Sequence, residues 1–345
     1  MKKDHTTQSN ATPPRRSAGT RRVARAIWYV RPGVVELRAA TLAPVGPGTA
    51  LVRMTFSGIS RGTERLVSQG LVGQSEWERM RAPAQEGQFP FPVKYGYCAV
   101  GRVEDGPDYL IGKDVFALHP HQDLFIAPVA ALAPLPDGLP PRRATLAANM
   151  ETALNAHWDG ASGPGDRIVV IGAGVLGLLV AHIAARIPGT DVTVVDILEA
   201  RRPLVESFGI RFALPEQAPL EADLVFHTSA QPTGLSLALA VAGMEATIVE
   251  LSWYGDRMTE VALGGSFHSR RLKLISSQVG QVATSRRARW SYGRRLESAL
   301  KLLADPAFDA LVADDISFDD APVALPGILS GTTAGLAPII RYPAP

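Results

Sequence analysis

The chain has a single cysteine, Cys98, in 345 residues. That excludes an internal disulfide and any zinc lobe built from several cysteines. Charge of one sign is also scarce: 35 Lys and Arg against 33 Asp and Glu give a net charge of +2. The small excess is unevenly placed. Residues 1–22 hold Lys2, Lys3, Arg15, Arg16, Arg21 and Arg22 against Asp4 alone, so this segment carries +5 and the remainder −3. The body therefore lacks the basic footprint of a nucleic-acid binder. Long apolar runs are almost absent. Residues 168–185 carry no formal charge, but the glycines inside that stretch favour strand, turn and helix over a membrane span. Arg15-Arg16 is not followed by an apolar segment, so no export signal is expected. These absences leave a cytoplasmic protein with no nucleic-acid or membrane partner as the expectation.

At 345 residues, 46% hydrophobic and 20% charged, the chain has the make-up of a globular protein of two domains. Residues 1–22 are rich in Ser, Thr, Pro and Arg and lack apolar periodicity, which predicts a disordered basic arm.

The most informative stretch is Asp166-Arg-Ile-Val-Val-Ile-Gly-Ala-Gly-Val-Leu-Gly177. Gly172, Gly174 and Gly177 give G-x-G-x-x-G spacing between an apolar strand and an apolar helix that opens with Val175 and Leu176. The first glycine allows a tight turn. The second lets the backbone approach a pyrophosphate, and the third lets helix and strand pack closely. Asp196 follows 19 residues later, where a carboxylate accepts from an adenosine ribose. An acid there repels a 2′-phosphate, so NAD(H) is favoured over NADP(H). Arg201 and Arg202 keep NADP(H) as the alternative.

Residues 23–140 read as β-rich, with strands at 24–29, 34–39, 50–57, 98–104 and 114–117 between Pro/Gly turns. Residues 69–87 form a polar loop over a site, and 134–141 a proline-rich connector. A helix spans 146–161. From Asp166 strands at 167–171, 191–196, 222–228, 246–251 and 272–277 alternate with helices at 175–186, 199–208 and 233–241, the pattern of an open parallel sheet covered on both faces. Further helices are expected at 294–304 and 321–330, and the tail is expected to rejoin the first domain.

This order resembles the medium-chain dehydrogenase/reductase superfamily. The residues that carry the resemblance are Ser57-Gly-Ile-Ser-Arg-Gly-Thr-Glu64, Lys94-Tyr-Gly-Tyr-Cys-Ala-Val-Gly-Arg-Val103, Gly163-Pro-Gly-Asp166 with the glycine motif, and Asp319-Asp-Ala321. The first two motifs look most like the branch that contains bacteriochlorophyllide a dehydrogenase, which oxidises a hydroxyethyl group to acetyl with NAD. The resemblance implies an α/β fold: a GroES-like β-rich catalytic domain at 23–150 and 310–345, with an inserted Rossmann doubly wound parallel sheet at 151–309. It implies a homodimer through the edge of the nucleotide sheet, near 272–279. Within it, Arg201 matches a basic residue that touches the adenosine ribose. Thr228 and Ser229 would line the adenosine side, and Leu251 and Trp253 would flank the nicotinamide.

The departures from the family pattern concern the metal. Zinc-dependent relatives have Cys in a Gly-Ile-Cys-Gly-Thr-Asp motif and His-Glu in a Gly-His-Glu motif. Here Ser60 or Arg61 stands at the first position, and Tyr97-Cys98 follows Gly96 at the second. Hydroxyls are poor zinc ligands beside thiolate, imidazole and carboxylate, so neither catalytic nor structural zinc is expected. Tyr97 then becomes the candidate to face the reacting oxygen, and Thr63 occupies the family's proton-relay position. Against these stand a Tyr packed under the cavity and a Thr that caps the following helix. His119 is a candidate proton donor or substrate contact, and with His121 a weak metal pair. Glu64 is expected to anchor its loop to backbone or an arginine, and Glu151 to balance a helix terminus. His157 and His227 carry no functional expectation. The reading that results is a zinc-independent NAD(H)-dependent enzyme that interconverts an alcohol and a ketone or aldehyde of small-molecule size. A quinone or enone reductase and a non-catalytic dinucleotide-binding accessory protein are the alternatives.

Overall fold

The computed structural model describes residues 22–331 and 335–344. The expected basic arm, 1–22, lies outside them except for Arg22.

The first half is built from short strands broken by glycine and proline. In chain order these are β1 (Val23–Arg31), β2 (Val34–Thr41), β3 (Thr49–Gly58), then helix α1 (Arg61–Ser68), β4 (Glu86–Gly87), β5 (Val93–Lys94), β6 (Ala99–Asp105), β7 (Asp114–Ala117), β8 (Leu124–Pro128) and β9 (Ala133–Pro134). β1 and β2 form an antiparallel hairpin, and β5 and β4 extend that sheet beyond β1. β3 is central to a second sheet, where it pairs antiparallel with β6 and β8. The strand β8 was not expected. It is a five-residue run, Leu-Phe-Ile-Ala-Pro, whose register with β3 is set by long-range pairing, not by a local turn.

Helices α2 (Pro141–Ala144) and α3 (Ala147–Gly160) lead into the second half. There β10 (Arg167–Ile171), α4 (Val175–Ala184), β11 (Asp191–Val195), α5 (Arg202–Ser207), β12 (Arg211–Ala213), β13 (Ala222–His227), α6 (Pro232–Val241), β14 (Ala242–Glu250) and β15 (Lys273–Ser276) alternate. The six strands pair in parallel in the order β12-β11-β10-β13-β14-β15. Chain direction across the sheet reverses between β10 and β13, and ligands of such sheets bind in the crevice at that point. The helix expected over 199–208 splits into a 3-10 turn, Glu199–Arg201, and α5, because Pro203 has no N–H to continue the ladder. β14 starts four residues before the expected 246, because α6 passes into it without a loop.

The last elements are α7 (Tyr292–Leu302), β16 (Val312–Ser317), α8 (Ala321–Ser330) and β17 (Ala337–Arg341). β17 pairs antiparallel with β3, so the tail returns to the first half as expected. One large apolar cluster joins α3, α4 and α7 to the parallel sheet and reaches Cys98, Val100 and Phe116. A second fills the β-rich half beneath α8. Tyr97 packs against both. Residues 168–185 divide between β10 and α4, and no helix among the described residues is long and apolar enough to cross a membrane.

Candidate active site

The glycine turn after β10 is built as its sequence requires. Gly172 has φ +108°, and a Cβ there would meet Thr228 Oγ1 at 2.8 Å. A Cβ on Gly177 would stand 1.9 Å from the Gly172 carbonyl oxygen, so helix α4 can approach the turn only without a side chain. Gly174 caps α4 and has open space around it. Hydrogen bonding within α4 begins with Leu178 N–H donating to the Gly174 carbonyl at 3.0 Å. The first-turn amides of Val175, Leu176 and Gly177 therefore lack acceptors within the helix and suit an anion.

Asp196 follows β11 directly and braces this turn. Its carboxylate accepts from Ala173 N–H at 2.7 Å and from Leu198 N–H at 2.9 Å. On the other side Thr228 donates to the carbonyls of Ile171 and Gly172 at 3.0 and 3.2 Å. Ser229 lies beside it. These residues fit a dinucleotide: a backbone cradle, free amides, and a carboxylate held one strand away.

Arg202 stacks on Phe212 at 4.6 Å and pairs with Glu199, so its guanidinium is occupied. Arg201 has no acidic partner among the described residues. Instead it lies near Arg61 of α1. Burial first, then the charges of Arg201 and Arg65, push the Arg61 guanidinium below its usual range. Arg61 itself donates to the Gly335 carbonyl at 2.7 Å, and the repulsion it feels from Arg201 is one that a nearby anionic group would relieve. Sequence reasoning considered Arg61 only as a stand-in for a metal ligand. The helix was expected at 64–69, so nothing in the sequence set Arg61 at its start, where the structure has it.

Leu251 is half-buried against the large cluster that joins the halves, and its N–H donates to the His227 carbonyl at 3.0 Å. Trp253 packs against the β-rich cluster. The 69–87 segment carries a 3-10 turn at Gln74–Glu76 and reaches the nucleotide half through Asp256 N–H, which donates to the Leu71 carbonyl at 3.2 Å.

In the β-rich half, the half-buried Tyr97 has Ser60 and Thr63 as neighbours, and their hydroxyls act on its phenol. Burial, then the neighbouring Cys98, raise its pKa well above the usual phenol value, while the two hydroxyls pull the other way. Thr63 is not the helix cap. Ser60 holds that place, and Thr63 lies inside the first turn of α1. Glu64 fixes this turn from below. It is fully buried, and its carboxylate accepts from Ser60 N–H at 2.8 Å, Tyr29 O–H at 2.8 Å and His121 Nε2 at 2.9 Å. Ser57 bonds His121 Nδ1 at 2.7 Å and Tyr342 at 2.9 Å. Glu64 therefore anchors to backbone as expected, but to a tyrosine and a histidine where an arginine was the alternative.

His119 is not brought into this cluster. It is buried, stacks on Phe125 at 3.9 Å, and bonds the Pro120 carbonyl through Nδ1 at 2.9 Å. Burial pushes its pKa down to about 3, and nothing links it to Ser60, Thr63 or Tyr97 among the described residues. His119 and His121 have separate partners, Pro120 and Phe125 for the first and Ser57 and Glu64 for the second, and no group that could hold a metal includes them among the described residues. Glu151 does not balance a helix terminus. It is buried in the second turn of α3 and pairs with Arg295 at 3.0 Å, itself buried and bound to Asn155 Oδ1 at 3.0 Å. His157 is a core residue, with Nε2 on the Val180 carbonyl at 2.9 Å.

The donor set does not fit zinc. Ser60 and Tyr97 offer hydroxyls, Glu151 is engaged by Arg295, and burial, Glu64 and Glu151 together keep the Cys98 thiol well above its usual pKa. A zinc site needs thiolate, neutral imidazole or free carboxylate at several of these places.

No family model matches the chain. Curated proteins match part of it. An uncharacterized zinc-type alcohol dehydrogenase-like protein of Haemophilus influenzae is 27% identical over 208 residues, which cover 58% of each chain. Galactitol 1-phosphate 5-dehydrogenase of Escherichia coli K12 is 25% identical over 181 residues, covering 49% of this chain and 51% of its own. The chain thus spans little more than half the length of the curated relatives it matches. Solved structures match almost throughout. Escherichia coli L-idonate 5-dehydrogenase superposes with a TM-score of 0.77 at 14% identity, covering 94% of this chain and 99% of that one. A Sinorhizobium meliloti dehydrogenase bound to NADP gives 0.73 at 17% identity, covering 93% and 99%. An Escherichia coli alcohol dehydrogenase complexed with NADH gives 0.73 at 15% identity, with the same coverage. The chain thus has the fold of these dehydrogenases, and over about half of its length its sequence is similar to a zinc-type alcohol dehydrogenase-like protein.

Proposed function

We propose that the protein is an NAD(H)-dependent oxidoreductase that interconverts an alcohol and a ketone or aldehyde without zinc. The observation that carries this reading is the grouping of the Ser60, Thr63 and Tyr97 hydroxyls; by the sequence resemblance, Ser60 and Tyr97 stand at metal-ligand positions and Thr63 at the proton-relay position. A bound nicotinamide would supply or accept the hydride. The chain's own task is to stabilise and protonate the oxygen on the reacting carbon. Tyr97 is held protonated at neutral pH, so its phenol donates to a substrate oxygen and transfers its proton as alkoxide character develops. Ser60 and Thr63 solvate the phenolate left behind, and Thr63 is the next group for the proton. In the oxidising direction the same groups run in reverse, against a phenol that is a weak base.

Asp196 and the open space at Gly174 support a dinucleotide with a free ribose hydroxyl, and the occupied Arg202 weakens the case for a 2′-phosphate. Arg61 and Arg201 would neutralise its phosphates. The proposed functional units are 23–150 with 310–345, and 151–309. The edge strand β15 is the proposed dimer contact, and the cytoplasm the proposed location. The reading is tested by fluorescence titration with NADH and NADPH, followed by assay on carbonyl and enone panels. Tighter binding of NADH with carbonyl reduction supports it. Turnover of activated C=C bonds alone would favour the enone reductase, and binding without any turnover an accessory role.

A further inference from the structure

His227, the last residue of β13, has a fully buried side chain. Its Nδ1 lies 2.7 Å from Glu250 Oε2, and its Nε2 lies 2.7 Å from Ser229 Oγ. Glu250 ends β14, in register with His227. Its other oxygen accepts from Ser252 N–H at 2.8 Å, and Tyr254 O–H donates to Oε2 at 3.3 Å. The backbone is shaped around this chain of bonds. Ala230 takes φ +54°, and its N–H donates to Ser252 Oγ at 3.0 Å. A Cβ on Gly234 would stand 2.4 Å from Ser229 Oγ and 2.7 Å from His227 Nε2. The first turn of α6 thus closes over the Ser229–His227 bond and keeps water from competing for it. Ser229 itself is half-buried and abuts the glycine turn: a Cβ on Gly172 would be 3.1 Å from Ser229 N.

The direction of these bonds follows from the donors available. A carboxylate oxygen only accepts, so Nδ1 carries the proton and a neutral ring leaves Nε2 as an acceptor. Ser229 O–H then donates inward to Nε2, Gln231 N–H donates to one lone pair of Oγ at 3.3 Å, and the second lone pair is left as an acceptor. We propose that the buried His227–Glu250 pair is a positioning device that fixes Ser229 as a hydrogen-bond acceptor at the β10/β13 crevice, where it takes a ribose hydroxyl of the dinucleotide. An acceptor oxygen there admits a hydroxyl and disfavours a phosphate, which brings no proton. The inference rests on the dinucleotide reading above and adds a second group, besides Asp196, that selects for free ribose.

Glu250→Gln provides the test. Ser252 N–H holds the acceptor end of the side chain, so the new amide turns its NH2 toward His227 Nδ1 and moves the ring proton to Nε2. Ser229 must then accept inward and donate outward. NADH affinity is measured by fluorescence titration for the wild type, Glu250→Gln, Ser229→Ala and the double variant, with the His227 tautomer read by 15N NMR. The expected result is a Kd raised roughly tenfold by each single change, no further loss in the double variant, and a wild-type ring protonated at Nδ1 that switches in Glu250→Gln. NADH binding unchanged in Ser229→Ala, or fully additive losses, would overturn the positioning role and leave the dinucleotide reading intact. A wild type that binds neither NADH nor NADPH would overturn both.

Discussion

Tyr97 is the residue on which the proposed chemistry turns. Burial raises its phenol and keeps it protonated at neutral pH, while the Ser60 and Thr63 hydroxyls pull the other way. Tyr97→Phe is expected to lower kcat for carbonyl reduction by about 100-fold with little change in KM, because the bond it removes strengthens only as charge develops. Thr63→Ala, which leaves the donor but shortens the proton path, is expected to cost about tenfold. Steady-state kinetics check both. The pH profile gives a sharper reading. An unperturbed phenol titrates near pH 10, so a raised pKa predicts that Tyr97-dependent reduction stays flat to about pH 9.5. A fall beginning near pH 8.5 would show that Tyr97 is not the donor. The reason for doubting His119 belongs to this scale too. A histidine stacked on Phe125 with its pKa pushed to about 3 stays neutral where the enzyme would work.

At the scale of elements, the glycine turn separates two uses of the same residue type. Gly177→Ala puts a methyl 1.9 Å from a backbone oxygen, so β10 and α4 must part. A loss of more than about 3 kcal/mol in urea unfolding is expected. Gly174→Ala meets nothing within 4 Å in a backbone conformation that alanine accepts, so the protein should fold with its stability changed by less than about 1 kcal/mol. Its effect is expected on NADH instead, with Kd raised at least about tenfold, because the new methyl occupies the space through which a pyrophosphate approaches. Comparable loss of stability in both variants would contradict that division. This turn, with Asp196 and the alternation of β10 to β15, was legible because strand, turn and helix are adjacent in sequence and each has a local signature. β8 and the Glu64–His121–Ser57–Tyr342 network were not. Their partners are 57 to 285 residues apart, and nothing local to Glu64 or His121 announces the other. The His227–Glu250–Ser229 chain was hidden for a related reason. Parallel register between β13 and β14 creates it, and register is not written in either strand alone.

For the whole molecule, burial of neutral histidines ties stability to pH. His119 and His157 are pushed down by burial to about 3 and about 4, both below the unfolded value near 6.5. The unfolded chain therefore binds more protons between these limits. Stability is full above about pH 6.5 and is lost as pH falls toward the folded values. At pH 5 each histidine is expected to cost about 2 kcal/mol relative to pH 7. Urea unfolding at both pH values checks this, with His119→Phe shrinking the difference by about 2 kcal/mol. The two halves of the chain meet where Tyr97 packs on both apolar clusters, which ties the proposed catalytic groups to the proposed nucleotide groups. The central claim is that hydroxyls replace a metal in an enzyme of this fold. The direct measurement is elemental analysis of the purified protein alongside its carbonyl reductase turnover with NADH, before and after chelation. Zinc far below one atom per chain, with turnover unchanged by chelator, is the predicted result. One zinc per chain, lost together with activity and restored with it, would contradict the account.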